Sequence, residues 1–150
     1  MATLVQDPFR GFRFHVDIVP KISASFSEVT IPDITIDTVD YREGTDKSPG
    51  RRRLSGMATY GNVSLKRGIT ASLDLYEWHQ MIIATGTSGQ NARRHGTIIL
   101  YDTDISKIAA KWSFFGAFPT TYQSSGLNAS SAEVMIETLD LVVERMSRDQ

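Results

Sequence analysis

The sequence predicts a mainly β protein: an antiparallel β-sandwich or barrel-like subunit with one packed α-helix. Short segments with alternating polar and apolar side chains occur before residue 42 and again after residue 61, and this period of two is typical of strands. Only one segment between them has helical spacing. The chain of 150 residues has no internal repeat and no break in composition, so we expect a single domain over residues 1–150.

Four strands are predicted in the first half of the chain. In "FRFHVDIV" (residues 12–19), apolar side chains alternate with Arg13, His15 and Asp17, as they do in a half-buried strand. The segments "ASFSEVTI" (24–31) and "DITIDTVDY" (33–41) are interpreted as the second and third strands. The fourth is "NVSLKR" (62–67), which Gly68 ends, because glycine permits a sharp turn.

A long loop is predicted at about residues 42–61. Alternation stops in "REGTDKSPGRRRLSGMATYG", which contains four glycines and seven charged residues, and a structureless stretch of about 20 residues in a compact domain usually has a function. The three adjacent arginines have no aromatic neighbours for base stacking, so the mixed charges favour contact with a protein over contact with nucleic acid. The candidate contact residues are Glu43, Asp46, Lys47, Arg51, Arg52 and Arg53.

Helical spacing runs from Ile69 to Thr85. We expect Thr70 or Ser72 to cap its start, Asp74 to suit the positive first turn, and Gly86 to follow its end with a left-handed conformation. Trp78 and Ile82 are expected to pack the helix against the sandwich, because they belong to an apolar arc on the helical wheel. The members of that arc are Leu75, Tyr76, Trp78, Ile82 and Ile83.

Three more strands are expected after the helix. "TIILYD" (97–102) and "IAAKWSFFGAF" (108–118) form a predicted hairpin, and Pro119 is expected to end its second strand. The last strand covers about residues 132–144. Along it, Thr138, Asp140 and Glu144 share one alternating face, which Ile136 and Val142 interrupt.

No sequence motif indicates an enzyme, a cofactor or a metal site. Lys66-Arg67-Gly68 lacks the repeated glycines of a phosphate loop and is interpreted as a strand-to-helix corner. No two of the three histidines lie at metal-motif spacing, and His79 is expected to be a hydrogen-bonded core or interface residue. The carboxylates give no sign of converging in a cleft, as general acid–base catalysis requires. We therefore expect no catalytic residue, no metal and no cofactor.

Composition excludes several further classes of protein. The formal net charge of −1 provides no global attraction for nucleic acid. The absence of cysteine excludes disulfides and thiolate zinc sites. No segment approaches the roughly 20 apolar residues that span a bilayer, so we expect a soluble protein made in the cytoplasm that does not insert into membranes by itself.

In the order of its motifs, the chain resembles the tail-tube (inner-tube) proteins of contractile phage tails and contractile injection systems. The motifs are "FRGFRFHV", "ASFSEV", "VDYREG", "LSG", "NVSLKRGI", a helix containing Trp78, "RRHGTIILYD", "KWSFFGAFP" and "LNASSAEVMIETLDLVVER". Two positions depart from the family pattern. Thr30-Ile31-Pro32 stands where a Ser-Gly pair is common, and Gly116-Ala117-Phe118-Pro119 stands where many members have Asn-Ala-Trp-Pro.

The resemblance implies a structural subunit that forms hexameric rings. The rings would stack into a hollow tube whose inner strands make one continuous barrel, and the 42–61 loop would reach a neighbouring ring. On sheath contraction the tube would deliver DNA or a protein effector through a target envelope, with sheath, baseplate and tail terminator proteins as partners. Thr138, Asp140 and Glu144 are the lumen candidates, and the alternative for Asp140 and Glu144 is an outer surface that faces the sheath. The alternatives are a tube of the type VI secretion kind and a monomeric β-sandwich binding module or small hydrolase.

Overall fold

The computed structural model describes residues 13–20, 22–24, 26–41, 44, 52–102, 107–130 and 133–150. This part of the chain contains ten strands, one α-helix and one short 3-10 helix at Gly86–Ser88. The strands and the helix are β1 (Phe14–Val19), β2 (Ile22–Ala24), β3 (Glu28–Thr30), β4 (Ile34–Tyr41), β5 (Arg52–Tyr60), β6 (Val63–Gly68), α1 (Asp74–Thr85), β7 (Arg94–Tyr101), β8 (Ile108–Ser124), β9 (Ile136–Val142) and β10 (Arg145–Arg148).

The strands form two sheet regions that share β8, together with a separate ribbon. Sheet I comprises β2, β1, β7, the first half of β8, and β10, whereas sheet II comprises the second half of β8, β9, β6 and β3. The 17-residue β8 belongs to both sheets. The ribbon consists of β4 and β5. All the pairings are antiparallel, as the sequence predicted.

One apolar core lies between sheet I, sheet II and the helix. Val16 and Ile98 enter it from sheet I, Leu65 and Leu139 enter it from sheet II, and Trp78 enters it from α1. Because both sheets contribute their alternate side chains to the same cluster, they face each other as the layers of a sandwich. The predicted β-sandwich with one packed helix is therefore confirmed.

The helix begins later than the sequence predicted. It starts at Asp74, follows Leu73 at the N-cap position and has no side-chain cap, so the prediction of Thr70 or Ser72 as the cap is wrong. The preceding segment is held instead by the strands, since the Ile69 amide donates to the carbonyl of Met135 at 2.9 Å. Gly86 follows the helix with a φ of 68°, as expected for a glycine at this position.

The apolar arc of the helix is divided between the core and the surface. Trp78 and Leu75 are buried, and Ile82 packs half-buried against the core. Tyr76 and Ile83 are exposed although they belong to the same arc. The contact of the helix with the core therefore includes Trp78 and Ile82.

The predicted long loop is wrong over its second half, because β5 pairs with β4 in a two-stranded ribbon. All side chains of the two strands are exposed except the half-buried Tyr60. No buried face therefore imposes alternation on β5, and the sequence carries no strand pattern there. Apart from Gly44, which lies in a turn, residues 42–51 fall outside the described part of the chain.

Three other strand boundaries differ from the predictions. Pro119 does not end β8, which continues to Ser124. The register shifts between Pro119 and Thr121, and a strand tolerates the missing N–H of proline at such an irregularity. The predicted final strand at about residues 132–144 corresponds to β9 alone, and the prediction missed β10, which pairs with the first half of β8. The segment "ASFSEVTI" likewise contributes to both β2 and β3.

Candidate functional site: the polar face of sheet II and the exposed ribbon

The surface of sheet II that points away from the core is polar in its middle, whereas Ile136 and Val142 lie at its two ends. Residues that lie opposite one another on neighbouring strands point to the same side, and the strand registers align eight polar residues in two rows. None of the eight is buried. The rows are Thr30, Ser64, Asp140 and Thr121, and Glu28, Lys66, Thr138 and Gln123. We call these eight residues the polar face.

The charges of the polar face nearly cancel. The Lys66 ammonium lies 3.7 Å from a carboxylate oxygen of Glu28, and Asp140 is the third charged member. One lysine and two acids leave a net charge of −1 on each subunit. Because the Lys66–Glu28 pair is exposed, it contributes at most about 1 kcal/mol to stability. The polar face therefore offers hydroxyl and amide groups rather than a strong field.

Two of the three lumen candidates belong to the polar face. Thr138 and Asp140 lie on β9 and point away from the core. Glu144 lies beyond the end of β9, so the prediction that it shares the alternating face of one strand is wrong. Its carboxylate accepts a hydrogen bond from the Arg93 side chain, and its amide donates to the Phe115 carbonyl at 3.0 Å.

On the core side of sheet II, Arg67 organises a buried polar cluster. Its guanidinium donates to the carboxylates of Glu137 on β9 and Asp74 at the start of the helix. The Tyr122 hydroxyl on β8 donates to the other oxygen of Glu137 at 2.7 Å. We call Arg67, Asp74, Glu137 and Tyr122 the Arg67 cluster. The cluster joins β6, β9, β8 and α1. Arg67 therefore anchors the strand-to-helix corner that the sequence predicted at Lys66-Arg67-Gly68.

The acid–base properties of the Arg67 cluster follow from its charges. Burial lowers the pKa of the Arg67 guanidinium, but hydrogen bonds and charge from Asp74 and Glu137 raise it above its ordinary value overall. Burial raises the pKa of Asp74, yet the hydrogen bond and positive charge of Arg67 hold it below the usual range. Burial, followed by the hydrogen bond and charge of Glu137, raises the pKa of Tyr122 to about 12. At neutral pH Arg67 is therefore cationic, Asp74 is ionised and Tyr122 is a neutral phenol.

Trp78 fixes the helix by polar contacts as well as by packing. Its indole N–H donates to the Ala92 carbonyl at 2.8 Å, and the Arg94 guanidinium lies 4.7 Å from the ring centroid. The Arg94 side chain is buried and its Nε donates to the Asn91 carbonyl at 3.0 Å. Sequence reasoning did not identify Glu137 or Tyr122, because their partners lie far away in the chain, and it did not identify Arg94 either.

The ribbon contains those candidate contact residues of the predicted 42–61 loop that the structure describes. Arg52 and Arg53 are exposed on β5, and Arg53 Nε lies 3.9 Å from a carboxylate oxygen of Asp40 on β4. The ribbon leaves sheet II where β3 gives way to β4 and β5 gives way to β6. The other predicted contact residues lie outside the described residues; they are Glu43, Asp46, Lys47 and Arg51.

The histidines lie in separate local contacts. His15 Nε2 is 2.9 Å from Asp17, His79 Nε2 is 3.3 Å from the Thr120 carbonyl, and the His95 ring packs against Phe115. Across the described ranges, no three histidine or acidic side chains are grouped closely enough to hold a metal ion. Within the same ranges, no helix has the length and hydrophobicity needed to cross a membrane.

Known structures share this fold across nearly the whole chain. The tube-terminating cap of the anti-feeding prophage is 24% identical with a TM-score of 0.83, and the match covers 100% of this chain and 96% of that chain. The sheath-tube complex of an extracellular contractile injection system (PVC) matches at 24% identity and a TM-score of 0.80, covering 97% and 93%. Hcp1 from Flavobacterium johnsoniae matches at 13% identity and a TM-score of 0.54, covering 91% and 94%.

The sequence comparisons decide the family. No individually curated protein matches the sequence. The profile of the family described as "T4-like virus tail tube protein gp19" matches residues 10–147, nearly the whole chain. The chain therefore belongs to the tail tube protein family of T4-like viruses and is a structural tube subunit.

Proposed function

We propose that residues 1–150 act as one tail-tube domain, that six copies close into a ring, and that the polar face lines the lumen of the stacked rings. The observation that carries this proposal is an open sheet with one polar surface. Apolar side chains of sheet II enter the core, whereas its opposite surface carries the polar face, none of whose residues is buried. Such a sheet suits a wall between a protein interior and a water-filled channel.

The two edges of sheet II support ring closure. β3 forms one edge, and the second half of β8 forms the other, since β7 pairs with β8 only as far as Ala117 among the described residues. Because every neighbouring pair in sheet II is antiparallel, the four strands alternate in direction and the two edge strands run oppositely. Rotation of one copy about an axis parallel to the strands keeps their direction. It therefore brings β3 of one copy beside β8 of the next in antiparallel orientation. Pairing there would remove two exposed edges from each copy.

The dimensions of such a ring suit a conduit. Four strands from each of six copies, spaced about 4.8 Å apart and tilted by about 40°, give a barrel roughly 45–50 Å across its backbone and a bore of roughly 35–40 Å. That bore admits DNA or an extended or small folded protein. The weak charge of the polar face limits retention of either cargo, because each phosphate contact adds affinity.

The proposed partners follow from the titles of the similar structures. Those structures include a baseplate and a sheath and tube terminator complex. We propose that this chain likewise meets sheath, baseplate and terminator proteins, and that sheath contraction drives the tube through a target envelope. The subunit would be made in the bacterial cytoplasm and built into a phage tail or an injection particle. Its role is structural, and the proposal includes no catalytic step.

Electron microscopy of the purified protein tests ring formation. We expect six-fold rings or stacked tubes with a central hole. Particles of monomer size at all protein concentrations would contradict the proposal and favour a binding module built on the same sandwich.

Single cysteines test the lumen, because the chain has none of its own. Thr138→Cys and Asp140→Cys place a thiol on the polar face, and Thr97→Cys is the matched control on sheet I, on the side away from the core. In assembled tubes without sheath, a small maleimide should label all three. A maleimide coupled to a protein wider than the bore should label Thr97→Cys and spare the other two. Equal labelling of all three variants by the wide reagent would place the polar face on the outside.

A further inference from the structure

The helix carries a stripe of apolar side chains that its own subunit leaves exposed. Ile83 is 65% exposed, Leu73 at the N-cap position is 58% exposed, and Tyr76 is 43% exposed. At about 100° per residue, these three positions fall within one arc of roughly 80° on the helix surface. That arc lies next to the buried one, which contains Leu75 and Trp78. We call Leu73, Tyr76 and Ile83 the helix stripe.

The helix stripe lies along the β8 edge of sheet II. The Tyr76 ring contacts the Tyr122 ring edge-on, with 5.6 Å between their centroids, and His79 Nε2 lies 3.3 Å from the Thr120 carbonyl. Both partners belong to the second half of β8, which is bonded to β9 on its other side. Because Tyr122 packs against the core, the helix lies on the core side of this edge strand. The two contacts progress in opposite directions along the two elements, so the helix runs antiparallel to β8.

In the proposed ring, the strand that comes next to β8 is β3 of a neighbouring copy. On β3, Val29 packs against the core, whereas Glu28 and Thr30 belong to the polar face. Ile31 directly follows β3 and is 38% exposed, and alternation along an extended chain gives it the same side as Val29. Because this β3 is antiparallel to β8, it runs in the same direction as the helix. Val29 and Ile31 of the neighbour therefore lie along the helix stripe.

Strand pairing alone is too small to hold a ring together. β3 has three residues, so its edge is about 10 Å long and, at a layer thickness of about 10 Å, covers roughly 100 Å² of each copy. A stable interface between two proteins buries about 800 Å² on each partner. The remaining area has to come from surfaces that flank the paired edges. The helix stripe is an apolar surface of this kind, directly beside the edge of β8.

We propose that the helix stripe of each copy packs on Val29 and Ile31 of the neighbouring copy in the same ring, as a second contact beside the pairing of β8 with β3. The proposal rests on the ring proposed above and adds the helix to its subunit interface. The contact is heterologous, because two different surfaces of the same chain meet, and such a contact closes when the rotation between copies completes a circle. Each interface then has a strand layer on the side of the polar face and a helix layer on the core side.

Acidic substitutions on the helix stripe test the contact. Tyr76→Glu with Ile83→Glu should leave the isolated subunit folded, because both side chains are exposed. Ring formation should need a protein concentration about tenfold higher or more, since each interface would bury two unpaired carboxylates. Sedimentation of a dilution series measures the concentration at which rings form, and urea denaturation measures whether the subunit stays folded.

Glu77→Lys is the matched control. Residue 77 is exposed on the same helix but lies about 100° around it from Tyr76, on the side away from β8, so this variant should form rings at the wild-type concentration. Ile83→Glu alone keeps the contact between Tyr76 and Tyr122 and should weaken the ring even if the double variant is unstable. Ring formation by Ile83→Glu at the wild-type concentration would overturn the proposal. A wild-type protein that forms no rings would instead refute the proposed ring, and this contact with it.

Thiol cross-linking of assembled rings identifies the surface that receives the helix. The double variant Ile83→Cys with Ile31→Cys carries one thiol on each side of the proposed contact, and a short bifunctional thiol reagent should join copies head to tail. We expect a ladder on a denaturing gel that ends at six copies, whereas the control Glu77→Cys with Ile31→Cys should give little product. A ladder that continues beyond six would place the contact between rings, and no product from intact rings would exclude it; either result overturns the proposal.

Discussion

Replacing Trp78 with alanine should strongly destabilise the subunit. The side chain is fully buried against Leu75 and the sheets, and truncation of a buried tryptophan typically costs about 3–5 kcal/mol. The change also leaves the Ala92 carbonyl without its indole donor, at about 1 kcal/mol. In addition, Arg94 loses the ring that it covers. We therefore expect a loss of about 5 kcal/mol in the free energy of unfolding, a large share of the roughly 5–15 kcal/mol that stabilises a typical domain.

Urea denaturation of the unassembled subunit measures this loss, and thermal melting should show a fall of roughly 10–20 °C. Trp78→Phe separates the polar contribution, because it keeps a buried ring but removes the N–H, and should cost less than half as much. Ile83→Ala is the matched control on the exposed side of the same helix and should change stability by no more than about 0.5 kcal/mol. Equal stability of Trp78→Ala and Ile83→Ala would refute the assignment of Trp78 as the anchor.

Three further results are expected from urea denaturation of the same unassembled subunit. Gly96→Ala should lower the free energy of unfolding by about 1–3 kcal/mol through overpacking, because a Cβ there would lie 2.1 Å from the Phe114 ring. The control is Gly126→Ala, where the Cβ meets no atom within 4 Å and the change should be nearly neutral. Equal effects of the two substitutions would contradict this packing. Arg67→Met should lower the free energy of unfolding by about 3–5 kcal/mol, since it leaves Glu137 buried without its cation. The control is Lys66→Met at the exposed neighbouring residue. A similar loss in both variants would argue against the Arg67 cluster. Asp74→Asn should lower the free energy of unfolding at pH 7 but not in strong acid. The pKa of Asp74 in the folded state is depressed, so the stability that its charge contributes is complete above the unfolded pKa of about 4 and disappears as the pH falls through the folded pKa. A loss that stays constant with pH would refute the ionic contribution.

The fold was predictable wherever one face of an element is buried. In β1, β6 and β9 alternate side chains enter the core, and the period of two in the sequence records that burial directly. The same logic identified Thr138 and Asp140 as residues that point away from the core. The family profile has since confirmed the tail-tube resemblance.

The second strand of the ribbon, β5, and the Arg67 cluster were not predictable in the same way. The ribbon has no buried face in its own subunit, so no selection for alternation marks β5 in the sequence. The cluster joins Arg67 to Glu137, a partner 70 positions away in the chain, and single-sequence patterns report only near neighbours. The helix start was misplaced for a related reason, because Asp74 is held by Arg67 rather than by a local cap.

The passage of β8 through both sheets has a mechanical consequence. Its 17 residues form an unbroken strand, with the first half bonded to β7 and the second half bonded to β9. Sliding one layer of the sandwich over the other would therefore strain covalent backbone, whereas layers joined only by loops would resist shear through side-chain contacts alone. Within one subunit, the backbone of β8 therefore resists shear between the two sheets together with the side-chain packing of the core.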